Sequence, residues 1–225
     1  MFTRIFNNGH APGTPDERRA RMVDEQLRSR GVRDPRVLAA MGKVPREQFI
    51  SGEDLKDAYG DHPLPIGAGQ TVSQPYIVAA MVEALEPQPT DRVLEVGTGT
   101  GYQAAILAEL AAEVWTVERH EDLASNAREI LAQLGYTNVH VIHGDGSLGL
   151  PEQAPFDKIL VAAAAPSIPQ SLVAQLAEGG RLVVPVGTRT EQQVHLVRKL
   201  GKEIVVTTHD LCRFVPLLGA EGWQS

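Results

Sequence analysis

Val93-Leu94-Glu95-Val96-Gly97-Thr98-Gly99-Thr100-Gly101 is a short apolar, β-branched run that passes directly into three alternate glycines. It reads as a buried strand turning straight into a helix. Glycines let the backbone bend at positive φ and leave no Cβ to obstruct a ligand, while the helix N–H groups behind the turn point toward that ligand. A nucleotide-like cofactor is implied. Dinucleotide sites usually space their glycines G-x-G-x-x-G, with the third allowing close packing beside a pyrophosphate. Here the sixth position is Tyr102, so that fingerprint fails.

Downstream of this turn, short apolar strands alternate with amphipathic helices. Strands are predicted at 92–96, 113–117, 139–142, 158–163 and 180–184, with helices at 101–110, 123–134 and 169–176. This rhythm implies a doubly wound parallel sheet covered on both faces. After Pro185 the segments 193–199, 203–208 and 213–217 alternate with glycine-containing turns instead, predicting an antiparallel edge. Upstream, Thr14-Pro15-Asp16-Glu17 combines an N-cap, a proline at N1 and a glutamate at N3, predicting a helix to about Arg30. Gly31 stops it, and Asp34-Pro35 caps a second helix carrying Val37, Leu38 and Met41. The Gly- and Pro-rich stretch 58–74 reads as an extended loop, and Pro75 opens a helix to about Leu85. The chain is thus expected to be one α/β domain: a helical arm with a lid loop (14–86), a cofactor-binding core (87–187) and the antiparallel edge (188–225).

Composition narrows the function. The formal charge of −7, from 21 basic and 28 acidic residues, offers no broad cationic surface for a phosphate backbone, which argues against nucleic acid. A single cysteine, Cys212, excludes an intrachain disulfide and a multi-cysteine metal cluster, and no metal site is expected. No segment reaches the roughly 18 apolar residues of a membrane span. Residues 1–13 carry no apolar run of the signal-peptide kind. A cytoplasmic address and a monomer are the expectations.

Two carboxylates fall at the carboxyl edge of the predicted sheet, where open α/β sheets bind ligands. Glu118 ends the second strand and is suited to accept hydrogen bonds from both hydroxyls of a ribose; an exposed glutamate at a strand end is the plainer reading. Asp145, before Gly146 in His143-Gly144-Asp145-Gly146, is suited to an adenine amino group, or serves only as a turn residue. The ribose contact does not separate a methyltransferase from a dehydrogenase, since both use it.

The G-x-G-x-G turn behind Glu95 resembles the first motif of class I methyltransferases, whose donor has no pyrophosphate and presents an amino-acid tail to this loop. A longer stretch is more specific. Asp61-His62-Pro63-Leu64-Pro65-Ile66-Gly67-Ala68-Gly69-Gln70-Thr71-Val72-Ser73-Gln74-Pro75 resembles the signature loop of protein-L-isoaspartate O-methyltransferases. Val44-Pro45-Arg46-Glu47-Gln48-Phe49, Glu118-Arg119-His120, Gly144-Asp145-Gly146-Ser147, Pro155-Phe156-Asp157, the run from Glu178 to Gly187 and Arg213-Phe214-Val215-Pro216-Leu217 are similar to the same family. Departures are mild: Val72 stands where isoleucine is common, Ala162 where threonine is frequent and Cys212 where valine is.

The resemblance implies a seven-stranded Rossmann-like sheet and methyl transfer from S-adenosylmethionine to the α-carboxylate of L-isoaspartyl residues in flexible, damaged proteins. It makes Ser73 the active-site hydroxyl, with Thr71, Val72 and Val215 shaping the substrate pocket. Gln70, Thr71, Glu95, Gly97, Thr98, Gly99, Gly101, Glu118, Arg119, Asp145 and Gly146 would hold the cofactor. For Ser73 the competing role is a plain helix N-cap. A carboxylate of pKa ~4 is already ionised at neutral pH and needs no general base, so His62 and His143 are given no catalytic part. A same-fold enzyme with another carboxylate or small-molecule acceptor, and a non-catalytic cofactor-binding module, remain alternatives at this point.

Overall fold

A computed structural model describes residues 13–224. The reading of the first dozen residues as free of an export signal lies outside the described residues. Seven strands form one sheet: β3 (Arg92–Val96), β4 (Glu113–Glu118), β5 (Val139–His143), β6 (Phe156–Val161), β7 (Leu176–Gly187), β8 (Gln192–Leu200) and β9 (Glu203–Cys212), in the order β5-β4-β3-β6-β7-β8-β9. Strands β3 to β7 pair in parallel, and β7, β8 and β9 form an antiparallel meander. The predicted doubly wound sheet with an antiparallel edge is what the chain builds. Its order reverses beside β3, so a crevice opens at the carboxyl ends of β3 and β6.

Alternation along the central strands supplies two cores. Val93, Leu160 and Val183 pack on one face with the helices α2 (Pro35–Lys43), α3 (Pro75–Leu85) and α4 (Tyr102–Ala108), and with Met22 and Leu27, which continue the first helix, α1 (Pro15–Arg21). Leu94, Ile159 and Leu182, each one residue away, pack on the other face with Leu172 of α6 (Gln170–Ala174). Successive side chains point to opposite sides of a strand, and here both sides are dry. Among the described residues no helix is long and apolar enough to cross a membrane.

The start of α1 carries the predicted capping box: Thr14 Oγ1 accepts from Glu17 N, and Glu17 Oε2 accepts from Thr14 N at 2.8 Å. The helix widens to π geometry over Met22–Leu27 and ends at Gly31 with φ 103°. Pro75 opens α3 at N1, as expected.

Three expectations need correction. The stretch 58–74 is no simple loop: β1 (Leu64–Gly67) and β2 (Gln70–Val72) pair antiparallel across Ala68-Gly69. Both turn residues take positive φ, 50° and 69°, as a tight hairpin turn demands. Leu64 and Val72 are buried opposite each other and anchor the hairpin to the core. The segment 213–217 is no strand of the edge. It folds back over the strand tips, where Ala164 N donates to Val215 O and Leu217 N to Ala164 O, both at 2.8 Å. Finally, α6 is shorter than the predicted 169–176, because Leu176 already pairs with Phe156 as the start of β7.

Candidate active site

The crevice at the tips of β3 and β6 is a cleft of about 840 Å³ of free space, open to solvent. Its floor is the glycine turn. Gly97 and Gly99 take φ of 96° and 55°, and Gly97 N donates to Val117 O at 2.8 Å, tying the turn to the tip of β4. Of the residues assigned from sequence, Gln70, Thr71, Val72, Ser73, Gly97, Thr98, Gly99, Glu118, Arg119, Gly146 and Val215 all line this one cleft. They arrive from the β2 hairpin, the β3 turn, the tip of β4, the turn after β5 and the folded-back C-terminal segment.

Glu118 is nearly buried, 6% exposed. One carboxylate oxygen accepts from Gly99 N and the other from His120 N, both at 2.9 Å. It therefore shapes the glycine turn, and each oxygen keeps a further lone pair for a ligand hydroxyl.

Glu95, Gly101 and Asp145 are not in the lining. Glu95 lies beneath the turn, fully buried. Thr116 Oγ1 donates to Glu95 Oε2 at 2.5 Å and is 2.6 Å from Thr98 Oγ1. The chain Thr98–Thr116–Glu95 thus runs from the cleft floor into the core. Burial, opposed by the Thr116 hydroxyl, pushes the Glu95 carboxyl up to about 8. It is mostly protonated at neutral pH. Gly101 is the N-cap of α4 at φ 90°, and a Cβ there would stand 3.2 Å from Leu131 Cδ1 and 3.4 Å from Ala127 Cβ of α5 (Glu121–Gln133). Its bareness serves helix packing. Asp145 turns toward the C-terminal segment: Oδ1 accepts from Ser147 N and Oγ, and Oδ2 from Ala220 N at 2.9 Å. Burial works against its charge, but the bonds from Ala220 and Ser147 hold its pKa below the usual value.

Ser73 does not cap α3. The N-cap is Gln74, whose amide instead reaches Asp61 O and Oδ1 at 2.9 and 2.7 Å. The Ser73 carbonyl accepts from Arg46 Nη2 at 2.8 Å, whereas its hydroxyl makes no hydrogen bond among the described residues and lines the cleft. Neither predicted bystander histidine lines it: His62 Nδ1 is 3.1 Å from Pro63 O, and His143 Nε2 is 3.1 Å from Arg119 O.

The family described as protein-L-isoaspartate(D-aspartate) O-methyltransferase matches residues 17–222. The chain belongs to this family. A protein-L-isoaspartate O-methyltransferase of Koribacter versatilis is 60% identical over 206 residues, spanning 92% of this chain and 93% of the relative. One from Methanoregula boonei is 57% identical over 210 residues, spanning 93% and 96%. Among solved structures, a protein-L-isoaspartate O-methyltransferase superposes with a TM-score of 0.80 at 30% identity, covering 90% of this chain and 66% of that one. A Plasmodium falciparum structure of the same family, in complex with S-adenosyl-L-homocysteine, gives a TM-score of 0.76 at 26% identity, covering 89% and 98%.

This member of the isoaspartate methyltransferase family also brings to the cleft residues that carried no assigned role in the sequence: Tyr102, Gln103, His120 and Leu218. Gln103 carried a signal, being the one polar residue in Tyr102-Gln103-Ala104-Ala105-Ile106-Leu107. It is 8% exposed; its Nε2 is buried with no close hydrogen-bond partner among the described residues, and its amide lies near enough to the buried Glu95 carboxyl to favour that group's charged form. A buried amide that lines the cleft beside a bare glycine turn suits the amino-acid tail of a sulfonium donor, so the residues present fit the cofactor of the family.

Proposed function

We propose that the chain methylates the α-carboxylate of L-isoaspartyl residues in flexible segments of damaged proteins, with S-adenosylmethionine as donor and S-adenosylhomocysteine as product. The carrying observation is that Ser73, whose hydroxyl makes no hydrogen bond among the described residues, and the positive-φ turn Gly97–Gly99 line one cleft. When bound, S-adenosylmethionine supplies an electrophilic methyl group on a sulfonium. Glu118 would hold the ribose hydroxyls, Gln103 and the N–H groups of the glycine turn the amino-acid tail, and Gly146 would lie against the adenine. Gln70, Thr71, Thr98 and Arg119 would complete the donor site from the two sides of the cleft.

On the acceptor side Ser73 would hydrogen-bond the substrate carboxylate or its neighbouring amide, with Thr71, Val72 and Val215 as walls. No side chain has to remove a proton, because the acceptor carboxylate is already ionised. What remains for the chain is to align acceptor and donor and to keep water off the nucleophile. The β1–β2 hairpin, with its glycine turn, is suited to cover the cleft. Esterification makes the carboxyl a better electrophile, so the neighbouring backbone amide nitrogen attacks it and expels methanol, which takes up the amide proton, closing a succinimide whose hydrolysis returns some normal aspartate. We take the enzyme to work as a monomer in the cytoplasm on protein chains, not on nucleic acid or at a membrane.

The test offers matched isoaspartyl and aspartyl peptides with methyl-labelled donor and counts base-labile ester. Ester on the isoaspartyl peptide alone is expected. Equal labelling of both peptides, or of neither, overturns the assignment.

A further inference from the structure

Arg46 has no part in the chemistry above. It opens the 3-10 turn Arg46–Phe49 after α2 and is 0% exposed. Its Nε donates to Ala58 O at 2.7 Å, its Nη2 donates to Ser73 O at 2.8 Å, and its Cζ lies 4.6 Å from the centroid of the Tyr102 ring. Nη1 is buried with no close hydrogen-bond partner among the described residues. Its close hydrogen-bond partners are two neutral carbonyls, joined more weakly by the neutral Tyr102 hydroxyl. A buried cation without a paired anion is costly, and an apolar side chain of similar volume would fill the space at less expense. Rules of local consistency are broken in this way chiefly where function requires it.

The two groups that Arg46 joins belong to opposite halves of the cleft. Ser73 bears the acceptor-side hydroxyl. Tyr102 is the first residue of α4, next to Gly101 at the end of the glycine turn. A guanidinium presents its donors in a rigid planar fork and stacks on aromatic rings, so it fixes a direction as well as a distance; a lysine ammonium does neither. We propose that Arg46 is a positioning residue for methyl transfer: by joining the Ser73 carbonyl to the Tyr102 ring, it sets the separation between the Ser73 hydroxyl and the glycine turn. The inference rests on the reading of Ser73 as the acceptor-side hydroxyl. Arg46 touches no reacting atom; it holds Ser73 against Tyr102, so its effect on the reaction is read at the Ser73 hydroxyl.

The test is a double-substitution cycle on the full chain with Arg46→Lys, Ser73→Ala and both together. It measures kcat and KM for an isoaspartyl peptide, Kd for S-adenosylhomocysteine by calorimetry, and thermal unfolding. Arg46→Lys is expected to lower kcat roughly 10–100-fold, since misplacement by about 1 Å costs about that much in an aligned transfer, and to leave the S-adenosylhomocysteine Kd unchanged. In the Ser73→Ala background the same substitution should cost little, because the group it positions is gone. An unchanged kcat in Arg46→Lys overturns the inference, as do losses that multiply independently in the double variant, the signature of a merely structural arginine. Ser73→Ala with full kcat overturns the Ser73 reading, and the positioning role with it, whatever Arg46→Lys does. Should Arg46→Lys not fold, the cycle is run with Tyr102→Leu, which removes the ring and leaves both carbonyl bonds. Loss of kcat that vanishes in Ser73→Ala supports the inference, and independent losses overturn it.

Discussion

Replacing Glu95 with glutamine tests the account of the cleft floor. In the folded chain the carboxyl has a pKa of about 8, against an ordinary value of 4.5. Between those values the folded state keeps a proton that the unfolded chain has released. The stability contributed by this group is therefore fully present below the unfolded pKa and is lost as pH rises through the window, at about 1.4 kcal/mol per pH unit. Glutamine has no such proton. Urea unfolding of both proteins at about pH 5.5 and about pH 7.5 isolates the term, because every other titrating group is common to the two and cancels in the difference. The original protein should lose about 2.5 kcal/mol relative to Glu95→Gln between the two conditions. The sign matters: a carboxylate with a depressed pKa would give the opposite trend. Parallel pH profiles would refute the buried neutral carboxyl.

Other substitutions test the site and the fold. Glu118→Ala should weaken S-adenosylhomocysteine by about 1.5–3 kcal/mol in calorimetry, the worth of charge-assisted hydrogen bonds; unchanged affinity would remove Glu118 from the donor site. Gly101→Ala should destabilise by at least about 1–2 kcal/mol, since alanine is strained at positive φ and its Cβ would press on Leu131. Urea unfolding reads this, and a neutral result would contradict the α4–α5 contact. Thr14→Ala should cost about 1 kcal/mol by removing the N-cap of α1, measured by the same unfolding, with Glu17→Ala adding little once the reciprocal cap is gone.

The sheet was legible because each strand carries its own signal: short, β-branched and bounded by glycine, proline or a helix cap. The glycine turn was legible for the same reason, being a single continuous stretch. What escaped depends on partners distant in sequence or on unusual backbone. The β1–β2 hairpin requires Ala68 at positive φ, which its composition does not suggest. Residues 213–217 have the alternation of a strand, but their hydrogen bonds go to Ala164, outside the edge of the sheet. Glu95 and Glu118 look equivalent in sequence, each an acid near a strand end. One points into the core and the other lies at the cleft, and only the sheet's registry decides which. Asp145 looks like a free turn carboxylate until Ala220, 75 residues further along, arrives to bind it. Arg46 was visible within a family motif, but its partners Ala58 and Ser73 come together only in the folded arm.

The folded-back segment has a consequence for synthesis of the protein. One wall of the cleft comes from Val215 to Leu218, held by Ala164, and Ala220 is tied to Asp145. These residues leave the ribosome roughly 120 positions after the glycine turn they face, a lag of about 6–24 s at translation rates of ~5–20 residues per second. During that interval the nascent chain has the turn without its wall. The complete cleft is thus acquired late, well after the parallel strands have been made.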